Sequence, residues 1–153
     1  MSDIARIPPH HIEAEQSVLG SLLIDRNALS EVSGRLKPET FYLEKHREIY
    51  EAILSLYEES LPVDIVTVSD VLAKRGTLEK VGDLEYIAHL ANSVPTTANV
   101  SHYVSIIEDK ALLRDLIKVS GEISDMAYQG STEGVEVLNH AEKMIFDISQ
   151  GMN

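Results

Sequence analysis

Six histidines are the residues of this 153-residue chain whose chemistry reaches furthest beyond packing, because imidazole ligates metals and moves protons near neutral pH. Their spacing does not serve a metal. No H-E-x-x-H places two of them on one helical face, and His10 and His11, as neighbours, point apart. His46 falls on an apolar stripe, where a hydrogen-bonded core imidazole is a plainer reading than a ligand or a base. Glu58-Glu59 and Glu108-Asp109 are adjacent acids that diverge by ~100° on a helix, so neither pair readily shares a proton or a metal. Both read as solvated faces. The chain has no cysteine, which removes disulfides, thiolate zinc sites and cysteine nucleophiles and makes a reducing cytoplasm the default location. No G-x-x-x-x-G-K-[ST], G-x-G-x-x-G or G-x-S-x-G occurs, so no known loop cradles a nucleotide and none presents a nucleophile. The expectation is a chain without catalytic residues, metal or cofactor of its own; an enzyme built from dispersed residues has no motif behind it.

Charge narrows the partners. With 13 Lys+Arg against 25 Asp+Glu the formal net charge is -12, and the deficit is spread over both halves with no basic patch. Nucleic-acid affinity comes largely from neutralising phosphates, so strong DNA binding by these residues is disfavoured, whereas a basic protein partner would be steered towards them. No apolar run approaches the ~20 residues needed to span a bilayer, and the opening Met1-Ser2-Asp3-Ile4-Ala5 is not a signal peptide, so no membrane association is expected.

The elements that carry these residues read as helices throughout. After a stiff Ile7-Pro8-Pro9, Ile12, Val18, Leu19, Leu22 and Leu23 share one helical arc behind an acidic first turn of Glu13 and Glu15. Gly20 lies off that stripe, as a close approach of another helix would require. Ala28 to Leu36 gives a short second helix. Thr40 is placed to cap the next, in which His46, Ile49, Tyr50, Ile53, Leu54 and Tyr57 keep helical spacing without a miss. Pro62 to Val68 alternates and is β-branched; with no second strand to pair with, it reads as an extended connection, and Thr67 to Asp70 as the capping box of the helix ended by Arg75-Gly76. Asp83 caps another helix, with Leu84, Ile87, Ala88 and Ala91 on one face. Residues 1–95 thus form a small all-helical globule, and Pro95 to Ala98 a hinge.

The last third, residues 99–150, reads as a helical hairpin. No proline or glycine interrupts the chain from Asn99 to Gly121, and good helix formers continue to Met126, which predicts a helix of some thirty residues. Its apolar residues, among them Tyr103, Ile106, Ile107, Leu113, Leu116, Ile117, Ile123 and Met126, form a broad stripe. The break at Gln129 to Gly134 starts a return helix with Val135, Leu138, Ala141, Ile145 and Ile148 on one narrow face and Val137 and Met144 beside it. That face is too narrow to cover the outgoing stripe. Either the rest of the same chain covers the remainder, or a second copy does.

Arg6-Ile7-Pro8-Pro9 followed by Ile12-Glu13-Ala14-Glu15-Gln16-Ser17-Val18-Leu19-Gly20 resembles the opening of the bacterial replicative DNA helicases of the DnaB family. Phe41-Tyr42, His46 to Ile53, Pro62 to Val68 and Val94-Pro95-Thr96-Thr97-Ala98-Asn99-Val100 are similar to later stretches of that family, in order and over residues 6–128. Residues 129–137 carry no family word, so the loop and the start of the return helix are placed by pattern alone.

The resemblance implies an all-α amino-terminal collar whose helical hairpin pairs subunits into dimers, with three dimers forming a homohexameric ring. The hairpin contact would draw on Ile106, Leu113, Leu116, Ile117, Ile123, Leu138, Ala141, Ile145 and Ile148. It also implies docking of the carboxy-terminal domain of primase, responsiveness to the helicase loader, and primase coupling through Tyr86, Ile117 and Ile123, positions that ordinary packing explains equally well. The family's motor, which binds ATP and Mg, lies downstream, and the sequence stops at Asn153 before it; neither ATP hydrolysis nor unwinding is expected of these residues alone. A single-stranded DNA-binding collar is the alternative, against which the acidic balance weighs.

Overall fold

The computed structural model describes residues 6–94 and 99–151, and among them every regular element is helical. Helix α1 (Ile12–Ile24) opens where His11 turns extended and its Nδ1 accepts the Ala14 amide at 3.0 Å, relieving one of the free N–H groups of a helix start. The expected second helix is shorter than its pattern: a 3₁₀ turn over Arg26–Ala28 leads into a single α-turn, α2 (Leu29–Val32). Thr40 does not cap the next helix. It closes a 3₁₀ turn, Pro38–Thr40, where its Oγ1 accepts the Lys37 amide at 3.1 Å, and α3 (Glu44–Glu58) begins four residues later.

The stretch Pro62–Val68 is helical sooner than its β-branched alternation suggests. Asp64 caps α4 (Ile65–Arg75), accepting the Thr67 amide at 2.9 Å while the Thr67 hydroxyl accepts the Asp64 amide at 3.0 Å. The capping box therefore sits three residues earlier than expected, because two reciprocal bonds at the start outweigh the weak strand preference of a segment with no partner strand. Gly76 ends α4 in the left-handed region at φ 76°, as its position after Arg75 requires. At α5 (Asp83–Asn92) the cap is Gly82 rather than Asp83, which is already the first helical residue. Its buried face is Ile87, Leu90 and Ala91; Leu84, expected beside them, is exposed.

Residues 10–109 form one compact unit. Its core gathers Leu19 and Leu22 from α1, Phe41, Ile49, Tyr50 and Ile53 around α3, Leu72 from α4, and Ile87 and Leu90 from α5. At Gly20 the α5 backbone comes within contact of α1, the close approach its residue type implies. Val100, Val104 and Ile107, on the first turns of α6 (Val100–Gln129), complete this core. Arg35 secures those turns from outside. Its guanidinium binds Glu108 through two nitrogens, at 2.5 and 3.3 Å, and donates to the hydroxyls of Ser101 and Ser105 at 2.9 Å each.

The second unit comprises residues 110–151 with the described end of the amino-terminal segment. By internal contacts the division falls inside α6; the expected hinge of residues 95–98 lies outside the described residues. In this unit the distal part of α6 and α7 (Gly134–Gly151) form a helical hairpin, turned at Gly130 with φ 62°. Pro9 contributes here by accepting a bond of 2.7 Å from Arg114 Nη1 through its carbonyl.

Candidate functional site

A buried polar chain runs through the globule from Glu15. Glu15 and His46 are both essentially without solvent contact, and a buried ionised group is tolerated only when its hydrogen bonds are supplied. They are. Glu15 lies one turn into α1, pointed at the approach to α3, where its carboxylate accepts the Tyr42 amide at 2.7 Å, the Leu43 amide at 3.5 Å and His46 Nδ1–H at 2.7 Å. A carboxylate only accepts, so the imidazole proton sits on Nδ1 and Nε2 faces the Tyr86 hydroxyl at 2.7 Å. Gln16 donates to the same hydroxyl at 3.2 Å, which leaves its proton for His46. Three helices are joined by this chain: α1 through Glu15 and Gln16, α3 through His46, α5 through Tyr86.

The arrangement is unsuited to nucleophilic chemistry. Burial pushes the Tyr86 hydroxyl above its ordinary range, opposed by the Gln16 bond and reinforced by the Glu15 charge, which is the reverse of nucleophile activation. The Tyr86 ring is half-buried, lies 6.0 Å from the His46 ring at an interplanar angle of 12°, and has the Lys45 ammonium 4.0 Å from its centroid. His46 is thus the satisfied core histidine its stripe suggests. No group of three His, Cys, Asp or Glu able to hold a metal occurs among the described residues.

The hairpin carries a different kind of site. Ala141 is buried, and Val119, Ile123, Met126, Val137, Met144 and Ile148 are half-covered, which marks the seam between the two helices. Apart from Tyr128 beside the loop, the exposed large apolar residues lie elsewhere: Leu113, Leu116 and Ile117 on α6, Val135, Leu138, Ile145 and Phe146 on α7. At ~100° per residue, each exposed set is rotated by roughly 110° from its own seam, in the same sense on both helices. Because a short loop makes the helices antiparallel, equal rotations turn both sets to the same side. The hairpin therefore shows one apolar face that spans both helices.

This redistributes the residues expected to act together. Leu113, Leu116, Ile117, Leu138 and Ile145 stand on the exposed face, with Ile117 57% and Leu138 59% exposed. Ile123, Ala141 and Ile148 belong to the seam. Ile106 belongs to neither, being packed against the core of the globule. The return helix's narrow face is accordingly two faces, Val137, Ala141, Met144 and Ile148 inward and Val135, Leu138 and Ile145 outward. Phe146, 59% exposed, joins the outward one; its place one turn beyond Glu142 was available from helical spacing. Of the residues held out for primase coupling, Tyr86 is half-buried on α5, Ile117 exposed and Ile123 half-buried. Glu15, Gln16 and Lys45 had no local sequence signal for the contacts they make.

An all-α globule with a buried polar tie between α1, α3 and α5, whose last helix runs on into a helical hairpin, defines the class of fold. Residues 7–109 match the family described as the DnaB-like helicase N-terminal domain, and the chain belongs to that family. It is 43% identical over 148 residues to the replicative DNA helicase DnaC of Bacillus subtilis, an alignment covering 97% of this chain and 33% of that protein. The chain thus spans about a third of the length of the helicase it matches. The crystal structure of the N-terminal domain of DnaB helicase from Mycobacterium tuberculosis superposes with a TM-score of 0.87 at 40% identity, covering 93% of this chain and 99% of that one. A DnaB-like replicative helicase, described together with its interactions with primase, gives a TM-score of 0.74 at 26% identity over 90% of this chain and 31% of its own. Among the described residues no helix is long and apolar enough to cross a membrane.

Proposed function

We propose that this chain is the oligomerisation and primase-docking domain of a replicative DNA helicase that acts in the bacterial cytoplasm. The observation that carries the reading is the single exposed apolar face shared by α6 and α7. A second copy presents the same face, so two hairpins can pair about a two-fold axis, each residue set meeting its own counterpart. Burial of a large apolar side chain is worth about 1.5–3 kcal/mol, so covering the face gains on the order of 10 kcal/mol at most before the cost of association. In the intact helicase three such dimers would close a hexameric ring, and ATP and Mg would be bound by its motor domain rather than by these residues. The carboxy-terminal domain of primase would dock on this collar and be coupled through Tyr86, Ile117 and Ile123, with the helicase loader a further partner. The relative described with its primase interactions supports this part of the reading.

The lack of native cysteine makes the pairing testable. Single cysteines placed at Ile117, Leu138 or Phe146 should yield covalent dimers with a short bis-maleimide, while one at the exposed Lys80 of the globule should not. Equal cross-linking from all four positions would contradict the hairpin contact. In the same preparation, the primase carboxy-terminal domain should bind the dimer measurably in a calorimetric titration; a flat titration would contradict the docking role.

A further inference from the structure

Tyr86 is held by its hydroxyl, and the groups that hold it lie on two other helices. The turn into α5 sets the backbone but not the Tyr86 side chain: Gly82 and Asp83 both have positive φ, 108° and 63°, and the turn is braced by the Gly82, Asp83 and Tyr86 amides donating to the Glu79, Leu78 and Gly82 carbonyls at 3.1, 2.9 and 3.3 Å and by the Leu84 amide donating to Asp83 Oδ1 at 2.8 Å. Three residues on, the Tyr86 hydroxyl meets His46 Nε2 and the Gln16 amide, and His46 is in turn oriented by Glu15. Glu15 is itself fixed by two backbone amides, Tyr42 and Leu43, so the chain ends in main chain and not in solvent. The outer part of the ring remains open beside Lys45 and near His89, whose ring centroid is 6.2 Å away.

We propose that Glu15 and His46 are positioning residues for primase coupling: by fixing the Tyr86 hydroxyl they set the orientation in which its ring edge is presented at the surface. This inference rests on the primase-docking reading above. Neither residue is accessible to a partner, both being buried, so any effect on binding must pass through Tyr86.

The test is the affinity of the chain for the primase carboxy-terminal domain with Glu15→Gln, His46→Gln and Tyr86→Phe, singly and in pairs, alongside thermal unfolding of each. Tyr86→Phe keeps the ring and removes only the bond, and should weaken binding by about tenfold; Glu15→Gln should do the same, and the double variant no more than either alone, because residues acting through one bond are not additive. In proton spectra, Glu15→Gln should also remove or shift the His46 Nδ1–H resonance, a signature that a general loss of stability would not single out. If the unaltered chain binds but folded Glu15→Gln and Tyr86→Phe bind equally well, the positioning role is wrong while the docking role stands. If the two effects multiply, Glu15 acts by another route and the inference falls. If the unaltered chain does not bind, the docking reading fails and takes this inference with it.

Discussion

Gly20 on α1 lies directly against the main-chain carbonyl of Leu90 on α5, with Val94 closing over the same point. A Cβ built at Gly20 would lie 2.5 Å from the Val94 Cγ2 and closer still to the Leu90 oxygen. A side chain can move aside; the carbonyl of a helix cannot without shifting the helix. Gly20→Ala should therefore destabilise the globule by about 1–3 kcal/mol, the usual range for overpacking. Chemical denaturation of the variant checks this, and Val94→Ala added to it should recover only a small part of the loss.

Strong alkali should unfold the globule by a route that neutral pH does not reveal. The Tyr50 hydroxyl is fully buried and donates to the Leu36 carbonyl at 2.9 Å, and burial pushes its ionisation well above the ordinary tyrosine range. Tyr86 is shifted in the same direction, again mainly by burial. A phenol whose ionisation is raised by folding contributes fully below the unfolded value, near ~10, and its contribution is lost as the pH climbs through that value towards the folded one. Stability should accordingly fall above about pH 10. Tyr50→Phe should flatten that fall while lowering stability at neutral pH by about 1 kcal/mol, the worth of the lost bond.

Arg35 binds three side chains of one helical face, Ser101, Ser105 and Glu108, and its ionisation is raised chiefly by the Glu108 bond. Arg35→Ala should cost about 1 kcal/mol globally, a modest figure because both partners of the ion pair are partly exposed. Its local effect should be larger. Amide hydrogen exchange at residues 100–108 should accelerate well beyond that at α3, and addition of salt should reproduce part of the change in the native protein.

How much of this could be read from the residues depended on whether a signal was local. Gly20, Gly76 and the His46 stripe announced a close crossing, a helix end and a buried imidazole, because each is a property of one position and its helical neighbours. Glu15 announced only an acidic first turn; its partners are His46, 31 residues away, and the amides of Tyr42 and Leu43, which no periodicity reports. Pro62 to Val68 misled by composition, since the reciprocal bonds of Asp64 and Thr67 decided the helix start. On the hairpin, spacing identified the apolar residues of α7 other than Phe146, but not which of two adjacent faces looked inward. Ala141 settles it, as the buried residue of α7.

The measurement closest to the central claim is the mass of the chain by light scattering over a wide concentration series, with Ile117→Asp and Leu138→Asp beside the native sequence. The native mass should rise from 17.0 kDa towards twice that value. Both variants should stay at the lower mass while keeping native helicity, because both positions are exposed in the single chain. A native chain that remains monomeric at every concentration, or variants that dimerise as well as it does, would contradict the hairpin face as the contact between copies.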